Sequence, residues 1–412
     1  MANARQTSFE ILQRWEESST YAEELIAQQS ESRRLSPADR GFTNALVLGV
    51  LRNLSLLDHW IDAMRGRGKL NSDARNALRL GLFQIVCMRV PDHAAVNESV
   101  SLVRKHARPV VNAILRRATR ERDSLEAEID SLPPETRFSM PDFLIEKWQG
   151  QFGQEATMAL CEWSDRPAEI IIRVNRLIPD AITTIEASED TEPIPGAANF
   201  FRVPSVPLEW IERGFAYVQD PATAIAPALL SPSPGQRVLD ACAAPGGKTA
   251  LMAEMMGNQG CIVATDRSSR RCKTLGENLQ RMGVSIAEVA TADWGKHAAD
   301  LEPFDAILLD VPCSNTGVLR RRVDVRWRLY ENFTKHMCQQ QRAILDSTAP
   351  LVKPGGALVY STCSIEPEEN SELVTAFLAD HPEFQLEEIA DSLPHRDSQD
   401  GAFAARLRRL TS

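Results

Sequence analysis

The sequence predicts a multi-domain protein in which an all-helical domain precedes a doubly wound α/β domain, with a small α+β unit between them. Three observations predict this architecture. Residues 8–120 carry apolar side chains at helical spacing and show no strand alternation. From residue 218 onward, apolar strand-like runs alternate regularly with amphipathic stretches. Two short β-rich runs, residues 170–174 and 200–203, lie between these regions.

The N-terminal region is predicted to form six or seven helices. Phe9, Leu12 and Trp15 recur at the spacing of one helical face. Residues 36–39, Ser-Pro-Ala-Asp, mark a helix start because Ser caps the free N–H groups and Pro suits the first turn. A proline-containing stretch of mixed charge follows at 121–150. We therefore expect domains at 1–130, 131–215 and 216–412.

The C-terminal region is predicted to be a parallel sheet with helices on both faces. We expect strands at 237–241, 261–265, 286–291, 304–310 and 357–361, and helices at 248–256, 268–282, 334–351 and 368–380. Such sheets bind ligands at the carboxyl ends of their strands. The residues that follow each strand are therefore the first candidates for chemistry.

Composition excludes several classes of protein. The 412 residues are 43% hydrophobic and 25% charged, as in ordinary globular proteins. No apolar run reaches the ~18–20 residues of a membrane span. The eight cysteines form no C-x-x-C pair, which argues against a zinc site or a disulfide framework. We expect a cytoplasmic monomer with no metal and no membrane partner.

Charge is unevenly distributed along the chain. The net charge is -10, yet residues 1–120 hold 18 Lys and Arg against 12 Asp and Glu. A second basic run lies in the acidic remainder and is opposed only by Asp324. It consists of Arg320, Arg321, Arg322, Arg326 and Arg328. Local basic surfaces decide phosphate binding, so both regions are predicted to contact nucleic acid.

A glycine loop after the first strand of the α/β region is the predicted cofactor site. It consists of Cys242, Ala243, Ala244, Pro245, Gly246, Gly247 and Lys248. The glycines allow close backbone approach, and the helix that follows offers free N–H groups. The loop lacks the first glycine of a phosphate-binding P-loop, and the dinucleotide fingerprint is absent too. It therefore suits a nucleoside without a pyrophosphate.

Two carboxylates support a nucleoside-like cofactor. Asp266 ends the next predicted strand, where it could accept both ribose hydroxyls. Asp293 follows the third strand and could reach the adenine edge. S-adenosylmethionine satisfies these requirements, since it combines an adenosine and an amino acid without phosphates.

Two cysteines follow predicted strands in the same half of the chain. Cys313 comes just after the run 304–310, and Cys363 comes just after 357–361. Both thiols should therefore lie at the ligand-binding edge of the sheet, beside the cofactor loop. This combination indicates nucleophilic catalysis on an electrophilic ring. The residues alone leave open which thiol attacks.

Residues 310–314, Asp-Val-Pro-Cys-Ser, resemble the acidic-x-Pro-Cys signature of cytosine-5 methyltransferases. Residues 361–364, Ser-Thr-Cys-Ser, resemble the Thr-Cys-Ser signature of the RNA branch. The resemblance implies a Rossmann-like domain in which Cys363 adds to cytosine C6 and Cys313 assists product release. Asp310 would bind the N3 and amino edge of the base, and it is also expected among the cofactor-binding residues. DNA cytosine methyltransferases attack with the Pro-Cys cysteine instead. Glu366, Glu368 and Glu369 are expected to cap the following helix.

The N-terminal region resembles the NusB-type RNA-binding fold, chiefly in residues 39–43, 77–85, 91–100 and 111–117. Its fusion to a two-cysteine methyltransferase resembles the RsmB type of bacterial 16S ribosomal RNA cytosine-5 methyltransferases, in the Sun superfamily. The implied partner is small-subunit ribosomal RNA. Two alternatives remain: a transfer RNA substrate, or a non-catalytic RNA-binding factor. The intact glycine loop and both thiols argue against the second alternative.

Overall fold

The computed structural model describes residues 4–66, 69–296 and 301–411, and it divides into two compact units. Unit 1 comprises Met1–Pro167 and Leu319–Leu329, and unit 2 comprises Ala168–Val318 and Tyr330–Ser412. This division differs from the three expected domains. A short segment of the C-terminal half belongs to unit 1, and the small β-rich region belongs to unit 2.

Unit 1 is built from helices, as its apolar spacing predicts. They are α1 (Ala4–Glu17), α2 (Ala22–Ser32), α3 (Pro37–Arg52), α4 (Leu54–Met64), α5 (Ser72–Leu82), α6 (Asp92–Ser101), α7 (Arg108–Glu128), α8 (Pro134–Arg137), α9 (Asp142–Phe152) and α10 (Gln154–Asp165). A π-helical turn, Phe83–Cys87, continues α5. The predicted start of α3 is confirmed, because Ser36 Oγ accepts a hydrogen bond from the Asp39 N–H at 3.1 Å.

The segment Leu319–Leu329 contributes to the core of unit 1. Val323 is fully buried in the same hydrophobic cluster as Leu51 and Trp60. The indole N–H of Trp327 donates to the Leu51 carbonyl at 2.8 Å. The segment therefore packs as an integral part of the helical unit, although it follows the first strand-end cysteine in the chain.

Asp324 is the main polar anchor of this segment. Its Oδ2 accepts hydrogen bonds from the indole N–H of Trp15 at 3.1 Å and from the Ala22 N–H at 2.7 Å, and the residue is 2% exposed. Asp324→Ala leaves both buried donors unpaired, so we expect a loss of about 2–4 kcal/mol in the free energy of unfolding, measured with urea. The exposed Asp123 on α7 gives a matched control. An unchanged midpoint for Asp324→Ala would contradict this role.

Unit 2 contains eleven strands among its described residues. They are β1 (Ile170–Val174), β2 (Glu192–Pro193), β3 (Phe200–Val203), β4 (Ala216–Val218), β5 (Arg237–Asp240), β6 (Cys261–Asp266), β7 (Ala287–Thr291), β8 (Phe304–Asp310), β9 (Val352–Thr362), β10 (Phe384–Ser392) and β11 (Ala402–Arg409). Its helices are α11 (Ala181–Glu186), α12 (Leu208–Glu212), α13 (Ile225–Leu230), α14 (Gly247–Met255), α15 (Ser269–Arg281), α16 (Phe333–Thr348), α17 (Ser371–Asp380) and α18 (Pro394–Asp397).

The strands form two sheets. The smaller sheet is antiparallel with the order β2-β3-β1-β4, and it contains the two short strands that the sequence predicts. The larger sheet has the order β10-β11-β9-β8-β5-β6-β7. Neighbouring residues of its strands serve opposite faces, since Val238 and Leu239 belong to different buried clusters. Helices therefore cover both faces of the larger sheet, as predicted.

The larger sheet is parallel, as predicted, except at one edge. β11 runs antiparallel to both β9 and β10, whereas β5 to β9 pair in parallel. β10 was not predicted, because most of its side chains are exposed and give no apolar run. Its Glu387 forms ion pairs with Arg406 and Arg408 of β11. Charged pairs of this kind stabilise an edge strand without an apolar pattern.

The order of the parallel strands locates the ligand edge. The chain forms β5 first, adds β6 and β7 on one side, and then adds β8 and β9 on the other. The strand order therefore reverses between β5 and β8. Crevices at such a reversal, outside the carboxyl ends of the strands, are the usual ligand sites of open α/β sheets.

Candidate active site

The two strand-end cysteines meet in the structure. β8 and β9 are parallel neighbours in which Asp310 lies beside Ser361, so the loops that follow them start side by side. Cys313 Sγ and Cys363 Sγ are 3.1 Å apart. The Cys363 thiol also contacts Asn315 Oδ1 at 3.3 Å, and the Asn315 amide donates to the Cys313 carbonyl at 2.7 Å. Asn315 thus orients one thiol against the loop of the other.

The surroundings of Cys313 favour its protonated form. The hydrogen bond with Cys363, burial and the charge of Glu369 all raise the pKa of the Cys313 thiol well above its ordinary value. Cys313 is 9% exposed, whereas Cys363 is more accessible. The geometry therefore suits a division in which Cys313 carries a proton and Cys363 is free to react.

Lys248 and Asp310 form an ion pair beside the thiols. Lys248 Nζ lies 2.6 Å from Asp310 Oδ2, and Ser361 Oγ donates to Asp310 Oδ1 at 2.9 Å. Burial lowers the pKa of Lys248. The Asp310 carboxylate and the nearby Cys363 raise it by a larger amount, so the pKa is raised overall. The ion pair therefore places a charged ammonium and a carboxylate close to the more accessible of the two thiols.

The predicted cofactor loop has the backbone geometry that its glycines suggest. Gly246 has φ +113° and immediately precedes α14. A Cβ at Gly247 would lie 2.8 Å from Tyr217 Cε1, so only glycine fits there. The Ala243 N–H donates to the Thr265 carbonyl at 2.8 Å, which ties the loop to the end of β6. Burial is the main cause that raises the pKa of the Cys242 thiol above its ordinary value.

Asp240, the last residue of β5, is a buried carboxylate beneath this loop. Its Oδ2 accepts from the Thr249 hydroxyl at 2.7 Å, while Oδ1 has no hydrogen-bond partner within the described ranges. Burial raises the pKa of Asp240 to about 7, against the opposing effect of the Thr249 hydrogen bond. The sequence did not single out Asp240, since a strand-end Asp before glycines also occurs in ordinary turns.

The two carboxylates assigned to the nucleoside differ in their surroundings. Asp266 ends β6 and is buried, with Oδ1 accepting from the Ser268 N–H at 3.0 Å and Oδ2 paired with Arg271 at 3.1 Å. The Arg271 side chain is 54% exposed, so it can move away from the carboxylate. Asp293 is more open and pairs with Lys296 at 3.2 Å. Both carboxylates follow strands on the β6–β7 side of the crevice.

Comparison with known proteins gives the family. The family described as 16S rRNA methyltransferase RsmB/F matches residues 227–408, and the NusB family matches residues 2–120. A protein from Synechocystis sp., a probable ribosomal RNA small subunit methyltransferase B, is 34% identical over 99% of this chain and all of its own. This chain belongs to the RsmB/F methyltransferase family. A Bacillus subtilis relative with the same description is 31% identical over 99% of both chains.

Solved structures agree with this assignment. The crystal structure of the protein PH0851 superposes with a TM-score of 0.79 at 27% identity, covering 99% of this chain and 98% of its own. A methyltransferase homologue from Pyrococcus horikoshii gives a TM-score of 0.60 at 26% identity, covering 69% of this chain and 99% of its own. The RsmB/F chain is therefore a methyltransferase with a helical domain of the NusB family.

The five arginines predicted to bind RNA do not form one exposed patch. Arg326 is fully buried, and its guanidinium donates to the carbonyls of Phe138 and Ser164 at 3.0 and 2.9 Å. Arg320 is 5% exposed and stacks on Trp163. Arg328 donates to the Trp15 carbonyl at 2.9 Å. The expectation of five phosphate contacts is wrong for Arg326, because its guanidinium is used inside unit 1.

The remaining two arginines lie closer to the surface of unit 1. Arg322 is exposed and Arg321 is partly buried. A run of arginines in sequence does not reveal which of its members point inward. The hydrophobic residues between them, Val323, Val325 and Trp327, were the available signal for a packed segment.

The expectation that Glu369 caps the following helix is wrong. It is fully buried between the two cysteine loops, and the N-terminus of α17 has no side-chain cap. Its hydrogen bonds connect both loops. Within the described ranges, no group of three or more His, Cys, Asp or Glu residues is arranged to hold a metal. In the same residues, no helix combines the length and apolarity needed to span a bilayer.

Proposed function

We propose that this methyltransferase transfers the methyl group of S-adenosylmethionine to C5 of a cytosine in 16S ribosomal RNA, through a covalent bond between Cys363 and C6. The observation that carries the proposal is the pair of thiols 3.1 Å apart, beside the ion pair of Lys248 and Asp310. A nucleophile, a second thiol and a charged pair for the base edge are the groups that this reaction requires.

The reaction follows from the weak nucleophilicity of cytosine C5. The Cys363 thiolate adds to C6, and the electrons of the C5–C6 double bond move toward N3 and O2. C5 then becomes nucleophilic enough to take a methyl group, which S-adenosylmethionine supplies as an electrophile when bound. Loss of the C5 proton to water restores the double bond and expels Cys363 as a thiolate. The atoms and charges therefore balance without an oxidant.

The charged pair has a clear task in this scheme. Addition of the thiolate places negative charge on the ring, so N3 takes up a proton from solvent and returns it to solvent when Cys363 leaves. Asp310 can accept hydrogen bonds from N3–H and from the amino group, while the Lys248 ammonium stabilises the thiolate before attack and after release. In the free enzyme, Lys248 and Ser361 occupy the Asp310 oxygens. The base would thus replace existing hydrogen bonds.

The residues near the glycine loop fit S-adenosylmethionine in their chemistry. Asp266 and Asp293 offer acceptors for ribose hydroxyls and an adenine amino group. The unpartnered Asp240 Oδ1 marks an unmet hydrogen-bonding need beneath the loop. No diphosphate-binding fingerprint accompanies these groups. Cys242, Ala243, Ala244, Pro245, Gly246 and Gly247 would line the cofactor, whereas Lys248 would serve the base through Asp310.

Ribosomal RNA is supported as the substrate by the names of the full-length relatives, which are probable ribosomal RNA small subunit methyltransferases, and by the NusB-family domain. A stacked base cannot meet a thiol and a methyl donor together, so the target cytosine would be flipped out or lie in a single-stranded loop. Arg322, which is exposed, is the member of the arginine segment best placed to meet RNA phosphate.

Bisulfite sequencing of total RNA from cells with and without the gene tests the substrate. A 16S cytosine that is methylated only when the gene is present would support the proposal. Loss of methylation in transfer RNA alone would show that transfer RNA is the substrate. Unchanged methylation in both RNAs would contradict the proposed methylation of RNA. Calorimetry with S-adenosylmethionine checks the cofactor separately, because a non-catalytic RNA-binding factor need not bind it.

Lys248→Met tests the ion pair. We expect the rate of methyl transfer in single-turnover assays to fall by about 10²-fold, since one preorganised charge beside the reacting groups is lost. Lys273→Met on α15 is the matched control, because the Lys273 side chain is 80% exposed. Equal rates for Lys248→Met and the wild type would show that the pair takes no part in the reaction.

A further inference from the structure

One buried carboxylate connects the loops that carry the two thiols. Glu369 Oε2 accepts from the Ser314 N–H at 3.0 Å, next to Cys313 in the chain. Glu369 Oε1 accepts from Ser364 Oγ at 2.9 Å, next to Cys363. The residue is fully buried. Each thiol is therefore one residue away from a group that Glu369 holds.

Further hydrogen bonds fix the carboxylate in place. Gln341 Nε2 on α16 donates to Glu369 Oε2 at 2.7 Å and to the Pro312 carbonyl at 3.0 Å. The Tyr360 hydroxyl on β9 donates to the Glu369 carbonyl at 2.6 Å. The side chain and backbone of Glu369 are thus both tied, one to a neighbouring helix and one to the sheet. A buried carboxylate held by several hydrogen bonds is constrained in its position.

The charge of Glu369 acts on its neighbours without a compensating cation. Among the described residues, no ion pair to Glu369 is formed, and hydrogen bonds from neutral groups hold it. The titratable groups that face Cys313 are Cys363, Glu369 and Tyr360. Burial raises the pKa of Tyr360 well above its ordinary value, and the Glu369 charge adds to that effect. Its negative charge likewise opposes ionisation of Cys313.

We infer that Glu369 is a positioning residue for methyl transfer, which sets the spacing of the two thiols and keeps Cys313 as the proton-carrying member of the pair. This inference rests on the proposed function. A protonated Cys313 can donate a hydrogen bond to the Cys363 sulfur as its bond to C6 breaks. The departing thiolate is stabilised by this bond, and no proton need be transferred between the sulfurs.

Glu369→Gln separates charge from position. The glutamine oxygen can accept from the Ser314 N–H and from Gln341. Its amide can donate to Ser364 Oγ once the Ser314 hydroxyl, which donates to that oxygen in the wild type, turns to Thr316 Oγ1 at 3.4 Å. The substitution therefore keeps the size and the neighbours of the side chain while the negative charge is lost. Glu368→Gln is the matched control, because it makes the same change one residue away at a partly buried site.

The readout is the pH dependence of alkylation at each thiol, followed by peptide mass spectrometry on the folded full-length protein. We expect the Cys313 profile of Glu369→Gln to move to lower pH, with a several-fold faster reaction at mildly alkaline pH. The Glu368→Gln profile should match the wild type. Release of methylated RNA from Glu369→Gln should be slower, while formation of the covalent complex is kept.

Two results would overturn the inference. One is a Cys313 profile that is the same in Glu369→Gln and the wild type. The other is a wild-type protein in which Cys313 ionises at or below the pH at which Cys363 ionises. This second result does not depend on whether the variant folds. Methylcytosine formation is measured in the same samples. If the wild type forms no methylcytosine but Glu369→Gln shows the expected shift at Cys313, the proposed reaction is wrong. The effect of the Glu369 charge on Cys313 would still hold.

Discussion

Cys363→Ala is expected to abolish methyl transfer to 16S ribosomal RNA and to form no covalent complex with it. Without the sulfur at this position, nothing adds to C6 and C5 stays unreactive. Removal of a covalent nucleophile typically costs more than about 10⁴-fold in rate. Transfer of a tritiated methyl group to an RNA fragment measures the loss, and denaturing gels report the complex.

A matched control excludes general damage from losing a thiol. Cys87→Ala changes an exposed cysteine in unit 1 and should retain the wild-type rate. Binding of S-adenosylmethionine should be unchanged in Cys363→Ala, because the thiol belongs to the base side of the crevice. Should Cys363→Ala still form the complex, the assignment of the attacking sulfur is wrong, and Cys313 becomes the candidate, as in DNA cytosine methyltransferases.

Cys313→Ala is expected to trap the enzyme on its RNA. Addition and methylation need only Cys363, whereas elimination loses the hydrogen-bond donor that lies 3.1 Å from the Cys363 sulfur. We therefore expect an RNA–protein band that survives denaturation, and at most one methyl group transferred per enzyme. Labelling the methyl donor shows whether the trapped RNA is already methylated.

The double variant Cys313→Ala with Cys363→Ala supplies the control for this trap. It should give no band, since the bond to RNA runs through Cys363. Normal multiple turnover by Cys313→Ala would contradict a role in release. A band in the double variant would point to a third nucleophile, and peptide mapping of the cross-link would locate it.

The sequence was sufficient to predict the position of candidate residues that lie at strand ends. Cys313, Cys363, Asp310 and Asp266 each follow or end an apolar run, and parallel strands bring such positions to one edge. The glycine loop could also be predicted from the sequence, because a left-handed backbone at Gly246 restricts the residue type. Periodicity and turn chemistry are local, so a single sequence displays them.

Features that depend on distant contacts were not predictable. Glu369 looks like any acidic residue before a helix, and only its hydrogen bonds to Ser314 and Ser364 reveal its position between the thiols. Arg326 looks like part of a phosphate-binding run until its buried carbonyl partners are seen. In both cases the residue type alone does not reveal the role. What differs is which groups lie nearby, and Ser314, Phe138 and Ser164 are far in sequence from the residues that they contact.

The composition of unit 1 has a consequence for protein synthesis. Its last segment, Leu319–Leu329, is translated after four strands of the larger sheet. A nascent chain that ends at Pro167 lacks Asp324, which accepts a hydrogen bond from the indole of Trp15, and Val323, which belongs to the buried cluster of this unit. Completion of this unit on the ribosome must therefore wait until about residue 329 has emerged, although its helices are translated first. A recombinant N-terminal fragment would be incomplete for the same reason.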